Sequence, residues 1–216
     1  MTQDGSTPEG ERPHPNPPPE GEGILEAEPE PEGPDLSSLD VGGRALLDSV
    51  LDVLRDYHPQ PGTLSDLPQV SVERRHIVDV CHAMKGDERI GARMLLCLTA
   101  VDYPPGSGGG GGHGRAGEES TEEAEEAVGR LEMVYVLQSL EPERTIVLKT
   151  EAPYDDPVVP SVTSVWRAAD WYEREAHDLF GVSFEGHPDL SPLLLYDGFE
   201  GYPGRKEFPF YEYREF

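Results

Sequence analysis

A chain of 216 residues with 43 acidic and 17 basic side chains carries a formal charge of −26, which argues against nucleic acid or anionic lipid headgroups as ligands. Its two cysteines are too few for a four-cysteine zinc site or a cysteine-ligated iron–sulfur cluster within the chain. No apolar run approaches the roughly 18 residues of a membrane-spanning helix, and the N-terminus lacks the basic and apolar regions of a secretory signal.

In chain order, residues 1–34 hold fourteen prolines and glycines and almost no large apolar side chains. Such a segment buries too little surface to offset its ordering entropy, so a disordered acidic tail is expected. From Asp35 the apolar residues Leu36, Leu39, Leu47, Val50, Leu51 and Leu54 recur at three- and four-residue steps, which predicts a helix that "HPQPG" (58–62) terminates. A second helix is predicted over Val72–Met84, with Ser71 as its N-cap and Cys81 on its apolar face. Cys81 and Cys97 both read as small buried hydrophobes.

"ARMLLCLTAVDY" (92–103), "RLEMVYVLQSL" (130–140) and "RTIVLKTEA" (144–152) read as three strands. Residues 104–129, glycine-rich and then acidic, form a low-complexity insertion in the loop between the first two. Successive strands joined by hairpin-like loops predict a mixed or antiparallel sheet, and the helices around it place the domain, residues 35–183, in the α+β class. A third helix is predicted over 161–180, with Gly181 as its left-handed C-terminal residue. Residues 184–216 are poor in regular structure yet rich in large apolar groups, such as Phe184, Leu190, Leu193–Leu195, Phe199 and Phe208. An extended segment docked on a partner protein is the expectation, because a small domain has little surface left to cover it.

The chemistry is densest in "WYEREAHDLFGVSFEGHPDL" (171–190). Glu173 and His177 stand four apart, as do Arg174 and Asp178, so each pair is adjacent on a helix and could form ordinary surface ion pairs. A metal site built from Glu173, His177, Asp178 and His187, as in a free-standing metal-dependent hydrolase, is the competing reading, but neither HExxH nor CxxC accompanies it. No nucleophile elbow, P-loop or dinucleotide fingerprint appears. Arg205 and Lys206, in a stiff segment between two prolines, would suit acidic patches on a neighbouring protein.

The series "LTAVDY", "YVLQSL", "PSVTSVWRAADWYEREAHDLFGVSFEGHPDL" and "GFEGYPGRKEFP" resembles the 30 kDa subunit family of the proton-pumping NADH:quinone oxidoreductase, respiratory complex I, over about residues 36–210. It departs from the family pattern at Ser191 and Pro192, where two basic residues are usual, at Gly204 for leucine and at Glu207 for aspartate. The resemblance implies a noncatalytic peripheral-arm subunit without flavin, cluster or metal of its own, those cofactors residing in partner subunits. It implies packing against the quinone-site subunit on the cytoplasmic side of a bacterial cell membrane, or the equivalent place in a membrane-bound hydrogenase or another donor:quinone oxidoreductase. The implied interface residues are Glu173, Arg174, Glu175, Asp178, Phe180 and Gly181 of the helix end, His187, Pro188 and Asp189 of the turn, and Arg205 and Lys206 of the following segment.

Overall fold

The structure, a computed structural model, describes residues 34–106, 128–141 and 143–209. The expected acidic tail (but for Pro34), nearly all of the 104–129 insertion and the last seven residues lie outside them. Among the described residues three helices, α1 (Val41–Val53), α2 (Ile77–Gly86) and α3 (Ala169–Phe180), accompany a five-stranded sheet of β1 (Gln60–Leu64), β2 (Leu67–Ser71), β3 (Ala92–Tyr103), β4 (Arg130–Leu140) and β5 (Glu143–Pro153). The strand order is β1-β2-β5-β4-β3; β2 and β5 run parallel and the other neighbours antiparallel. The sheet is therefore mixed, and the fold is α+β as expected.

The three long strands form where the alternation places them. β3 pairs with β4 from Ala92↔Ser139 to Tyr103↔Arg130, so the insertion does connect antiparallel neighbours. Leu131, Met133, Tyr135 and Leu137 on one face of β4 are wholly buried, and Ile146 and Leu148 of β5 join them. The other face carries the Glu132–Lys149 ion pair at 3.0 Å. Cys81 is fully buried on α2, whereas Cys97, which follows a register irregularity in the edge strand β3, is only half-buried.

Local signals failed where distant pairing took over. α1 starts at Val41 rather than near Leu36, because the Asp40 carboxylate caps the Gly43 N–H. "HPQPG" does end that helix, but its last residues continue into β1, which forms a hairpin with β2 through a two-residue turn with Ser65 in the left-handed region (φ 56°). Pro61 is tolerated there because β1 lies at the sheet edge. Ser71 is no N-cap: it ends β2, is paired with Lys149 of β5, and α2 begins six residues later behind a 3-10 turn at Arg74–His76.

α3 likewise begins at Ala169, not Ser161. A small parallel pair, β6 (Val158–Pro160) and β7 (Ser183–Glu185), draws the preceding chain into extended form, with Ser161 N–H donating to Glu185 O at 2.8 Å. Gly181 closes α3 as predicted, at φ 74° with its N–H on His177 O at 2.9 Å. Beyond β7, residues 186–209 contain no helix or strand, yet they lie on their own domain. Phe184 is buried, Leu190 packs on the core, and Gly204 N–H reaches Leu179 O at 2.8 Å. The domain thus has room for much of a segment expected to need a partner.

Candidate functional site

Four residues of α3 face inward and are buried: Ala169, Glu173, Ala176 and Asp178. Two of them are carboxylates, so the helix uses charge where an apolar stripe is usual. Glu173 is 0% exposed. Its Oε1 accepts the Val162 N–H at 2.7 Å and its Oε2 accepts the Ser161 hydroxyl at 2.7 Å. Burial pushes its pKa up to about 7, against the pull of the Ser161 and Val162 hydrogen bonds toward the ionised form and with a further upward push from Asp170.

The His187 side chain is also sealed from solvent and lies beside this carboxyl, Nε2 being 3.9 Å from Glu173 Oε2. The Asp189 backbone N–H donates to His187 Nδ1 at 3.0 Å. In the neutral ring that contact assigns the ring proton to Nε2, which then donates to Asp170, 3.2 Å from its Oδ1 and 3.3 Å from its carbonyl. The "GHPDL" turn is thereby tied to the first turn of α3, with Pro188 and Asp189 on the surface.

The expected helix-surface pairs do not form. Arg174 instead donates to Ser191 O (3.1 Å), Ser191 Oγ (3.2 Å) and Pro192 O (3.1 Å), with its guanidinium 5.6 Å from the centre of the Trp171 ring. Asp178 Oδ2 accepts three consecutive backbone N–H groups, from Leu193 (2.9 Å), Leu194 (2.7 Å) and Leu195 (3.0 Å). Burial raises the Asp178 pKa, but the three amides and His177 outweigh it and hold the carboxyl below the usual range. A coil of this kind has no ladder to satisfy its amides and carbonyls, so ionic side chains of the neighbouring helix do so. Two of the three contacts of Arg174 are to backbone oxygens, so they survive the departures from the family pattern at Ser191 and Pro192.

The "GYPGRKEFP" segment closes on the C-terminal end of α3. Arg205 Nε donates to Phe180 O at 2.8 Å, and its guanidinium lies 4.7 Å from the Tyr154 ring centre and 5.0 Å from that of Tyr202. Lys206 donates its backbone N–H to the buried Asp102 carboxylate at 2.7 Å, and its ammonium stands 5.7 Å from the Tyr103 ring. The Arg205 guanidinium therefore engages its own chain, whereas Lys206 bonds it through its backbone N–H and carries its ammonium on an exposed residue. The Tyr202 ring lies so close over Gly181 that a Cβ there would be 2.5 Å from it. At Gly204 a Cβ would lie 2.8 Å from the Phe180 ring and 2.9 Å from Leu179 O, so this close approach uses glycine where the family pattern has leucine.

Of the residues singled out in the sequence, Glu173 and His187 lie side by side at 3.9 Å, Arg174 and Asp178 hold residues 191–195, Arg205 bonds Phe180 O, and Gly181 and Arg205 both lie against the Tyr202 ring. Glu175 is exposed. Around these lie exposed large side chains: Trp171 (60%), Leu194 (60%), Tyr196 (71%) and Tyr202 (42%). Sequence reasoning missed the roles of Ser161, Asp102 and Tyr154; a lone acid inside the apolar run "LTAVDY" was the one available signal, for Asp102. The proposed metal set does not assemble, because His177 Nδ1 is engaged with Val182 O at 2.8 Å while Glu173 and Asp178 serve backbone groups on different segments. Among the described residues no group of three or more His, Cys, Asp or Glu could hold a metal ion.

The family model for the respiratory-chain NADH dehydrogenase 30 kDa subunit matches residues 70–214. An NADH-quinone oxidoreductase subunit of Coxiella burnetii is 38% identical over 176 residues, covering 77% of this chain and 78% of that protein. An NADH-quinone oxidoreductase subunit of Rhizobium etli is 34% identical over 154 residues, 71% of each. Among solved structures, a chain of an archaeal membrane-bound sulfane sulfur reductase, a respiratory membrane complex, superposes with a TM-score of 0.58 at 26% identity, covering 77% of this chain and 85% of that one. With its signature helix, turn and closing segment all accounted for, the chain belongs to the 30 kDa subunit family of the respiratory-chain NADH dehydrogenase.

Proposed function

We propose that this chain is a noncatalytic, peripheral subunit of a membrane-attached NADH:quinone oxidoreductase, docked on the quinone-site subunit at the cytoplasmic face of the membrane. Family membership carries the reading. The geometry supports it: the ionic side chains of the signature are spent on binding the chain's own backbone, which leaves them engaged in shaping a surface. That surface presents Trp171, Glu175, Leu194 and Tyr196, and aromatic anchors of this kind dominate binding energy at interfaces. Flavin and iron–sulfur clusters belong, on this reading, to the partner subunits. Among the described residues no helix is long and apolar enough to cross a membrane, so attachment through the partners is the consistent arrangement.

Detergent extraction of native membranes with the full chain tagged tests the proposal. Recovery of a large assembly containing flavin and iron–sulfur clusters, with NADH:quinone activity, is expected. Recovery of the chain alone, or turnover by the isolated chain, overturns it. A second reading, the equivalent subunit of a complex with another electron donor, has the likeness to the sulfane sulfur reductase chain in its favour. Co-purification of a membrane assembly that does not oxidise NADH would select it.

A further inference from the structure

Glu173 is the one fully buried carboxyl of α3, and its surroundings differ from those of an ordinary structural acid. Its Oε2 meets the Ser161 hydroxyl at 2.7 Å, and the Ser161 hydroxyl meets the Thr163 hydroxyl at 2.8 Å, either oxygen being able to donate. The Thr163 N–H donates to Ser161 Oγ at 3.2 Å, and Thr163 is partly exposed. The three oxygens lead from the buried carboxyl to the partly exposed residue Thr163; the hydroxyl–hydroxyl link can run either way, and the carboxyl link reverses once Glu173 carries a proton.

We propose that Glu173, Ser161 and Thr163 form a proton-loading site, in which the buried carboxyl binds and releases a proton through the two hydroxyls without moving a heavy atom. In the ionised state Thr163 O–H donates to Ser161 Oγ and Ser161 O–H donates to Glu173 Oε2. On loading, Thr163 Oγ1 accepts a proton from solvent and passes its own to Ser161, which passes its own to Oε2. The Oε2–H then donates to Ser161 Oγ and Ser161 O–H to Thr163 Oγ1. One proton enters, one rests on Glu173, and the Val162 N–H keeps its acceptor, Oε1, in both states. Each oxygen of the relay has a partner before and after, so the change of charge leaves no hydrogen-bonding group of the relay unpaired.

The titratable groups facing Glu173 from the elements around it are Asp170 on α3, His187 from the turn, Cys81 from α2 and Tyr135 from β4. Burial pushes the Cys81 thiol and the Tyr135 hydroxyl up, so both stay protonated while Glu173 exchanges. The His187 Nε2–H is held by Asp170 and lies on the far side of hydrogen-bond range from Oε2, so the hydroxyl pair is the connected route. Burial raises the affinity of Glu173 for the proton into the neutral range, where loading responds to ordinary changes of pH. The inference stands on these side chains and is independent of the assembly in which the chain resides.

The test follows the Glu173 carboxyl by carbon-13 NMR and infrared spectroscopy of the full chain from about pH 5 to about pH 9, with Glu173→Gln identifying the signal. A midpoint near neutrality, with unchanged near-ultraviolet circular dichroism across it, is expected. Ser161→Ala removes a donor to the ionised form and moves the midpoint up. Thr163→Val leaves Ser161 O–H without an acceptor in the loaded form and moves the midpoint down, each by about half a pH unit or more. Thr163 is partly exposed, so its variant tests the chain even if Ser161→Ala folds poorly. Ionisation throughout the range, protonation only with loss of tertiary structure, or a Thr163→Val midpoint that is unchanged or raised would each overturn the proposal.

Discussion

Replacing Asp178 by alanine removes the single oxygen on which three consecutive amides converge. Asp178 is 8% exposed and its Oδ2 lies 2.7–3.0 Å from the nitrogens of Leu193, Leu194 and Leu195. A hydrogen bond to a charged group contributes about 1.5–3 kcal/mol, and water can replace part of that in a partly exposed coil. A net cost of about 3 kcal/mol follows, equivalent to about a hundredfold in an opening equilibrium. Hydrogen exchange of the full chain, resolved at residues 193–195, measures it: these amides exchange about a hundredfold faster in Asp178→Ala while those of β4 change little. Asp178→Asn keeps an acceptor oxygen and loses the charge, so its effect is smaller. Because the folded pKa is depressed, the stabilisation is present above the unfolded carboxylate value and is lost as pH falls through the folded one, so wild type and Asp178→Asn converge in acid. Unchanged protection at 193–195 alongside a lowered melting temperature would refute the reasoning, because Asp178 would then stabilise some other part of the fold.

Glu173 works in the opposite direction. Its folded pKa of about 7 exceeds the unfolded 4.5, so its contribution is favourable at low pH and declines as pH rises between those values, by about 3 kcal/mol in all. Urea titrations at several pH values should show this slope, and Glu173→Gln should flatten it. Gly181→Ala combines a left-handed backbone at φ 74° with a Cβ 2.5 Å from the Tyr202 ring; a loss of about 1–3 kcal/mol is expected in the same assay. Arg205→Lys keeps the charge but cannot both bond Phe180 O and lie against two rings. It should destabilise nearly as much as Arg205→Ala, by about 1–2 kcal/mol in thermal melts.

The strands β3, β4 and β5, the end of α3 at Gly181 and the α+β class were legible in the sequence, because alternation and a left-handed glycine are local properties. The β1–β2 hairpin was not: Pro61 and Gly62 read only as the end of a helix, and it is the pairing of β1 with β2, and of β2 with β5, that makes this stretch strand. That same pairing claimed Ser71 from its apparent place at a helix start. At the site, the sequence by itself placed the dense charges on a helix end, a turn and a closing segment, but not their contacts with Ser161 and Asp102. Helical spacing allowed Arg174–Asp178 and Glu173–His177 pairs, yet the fold laid residues 191–195 and the Ser161–Thr163 turn against α3. Unsatisfied backbone groups there competed for the same side chains and won, because exposed ion pairs contribute little while buried amides left unbonded cost more. Tertiary structure alone decided that these side chains turn to their own backbone, and so left Trp171, Glu175, Leu194 and Tyr196 exposed around them.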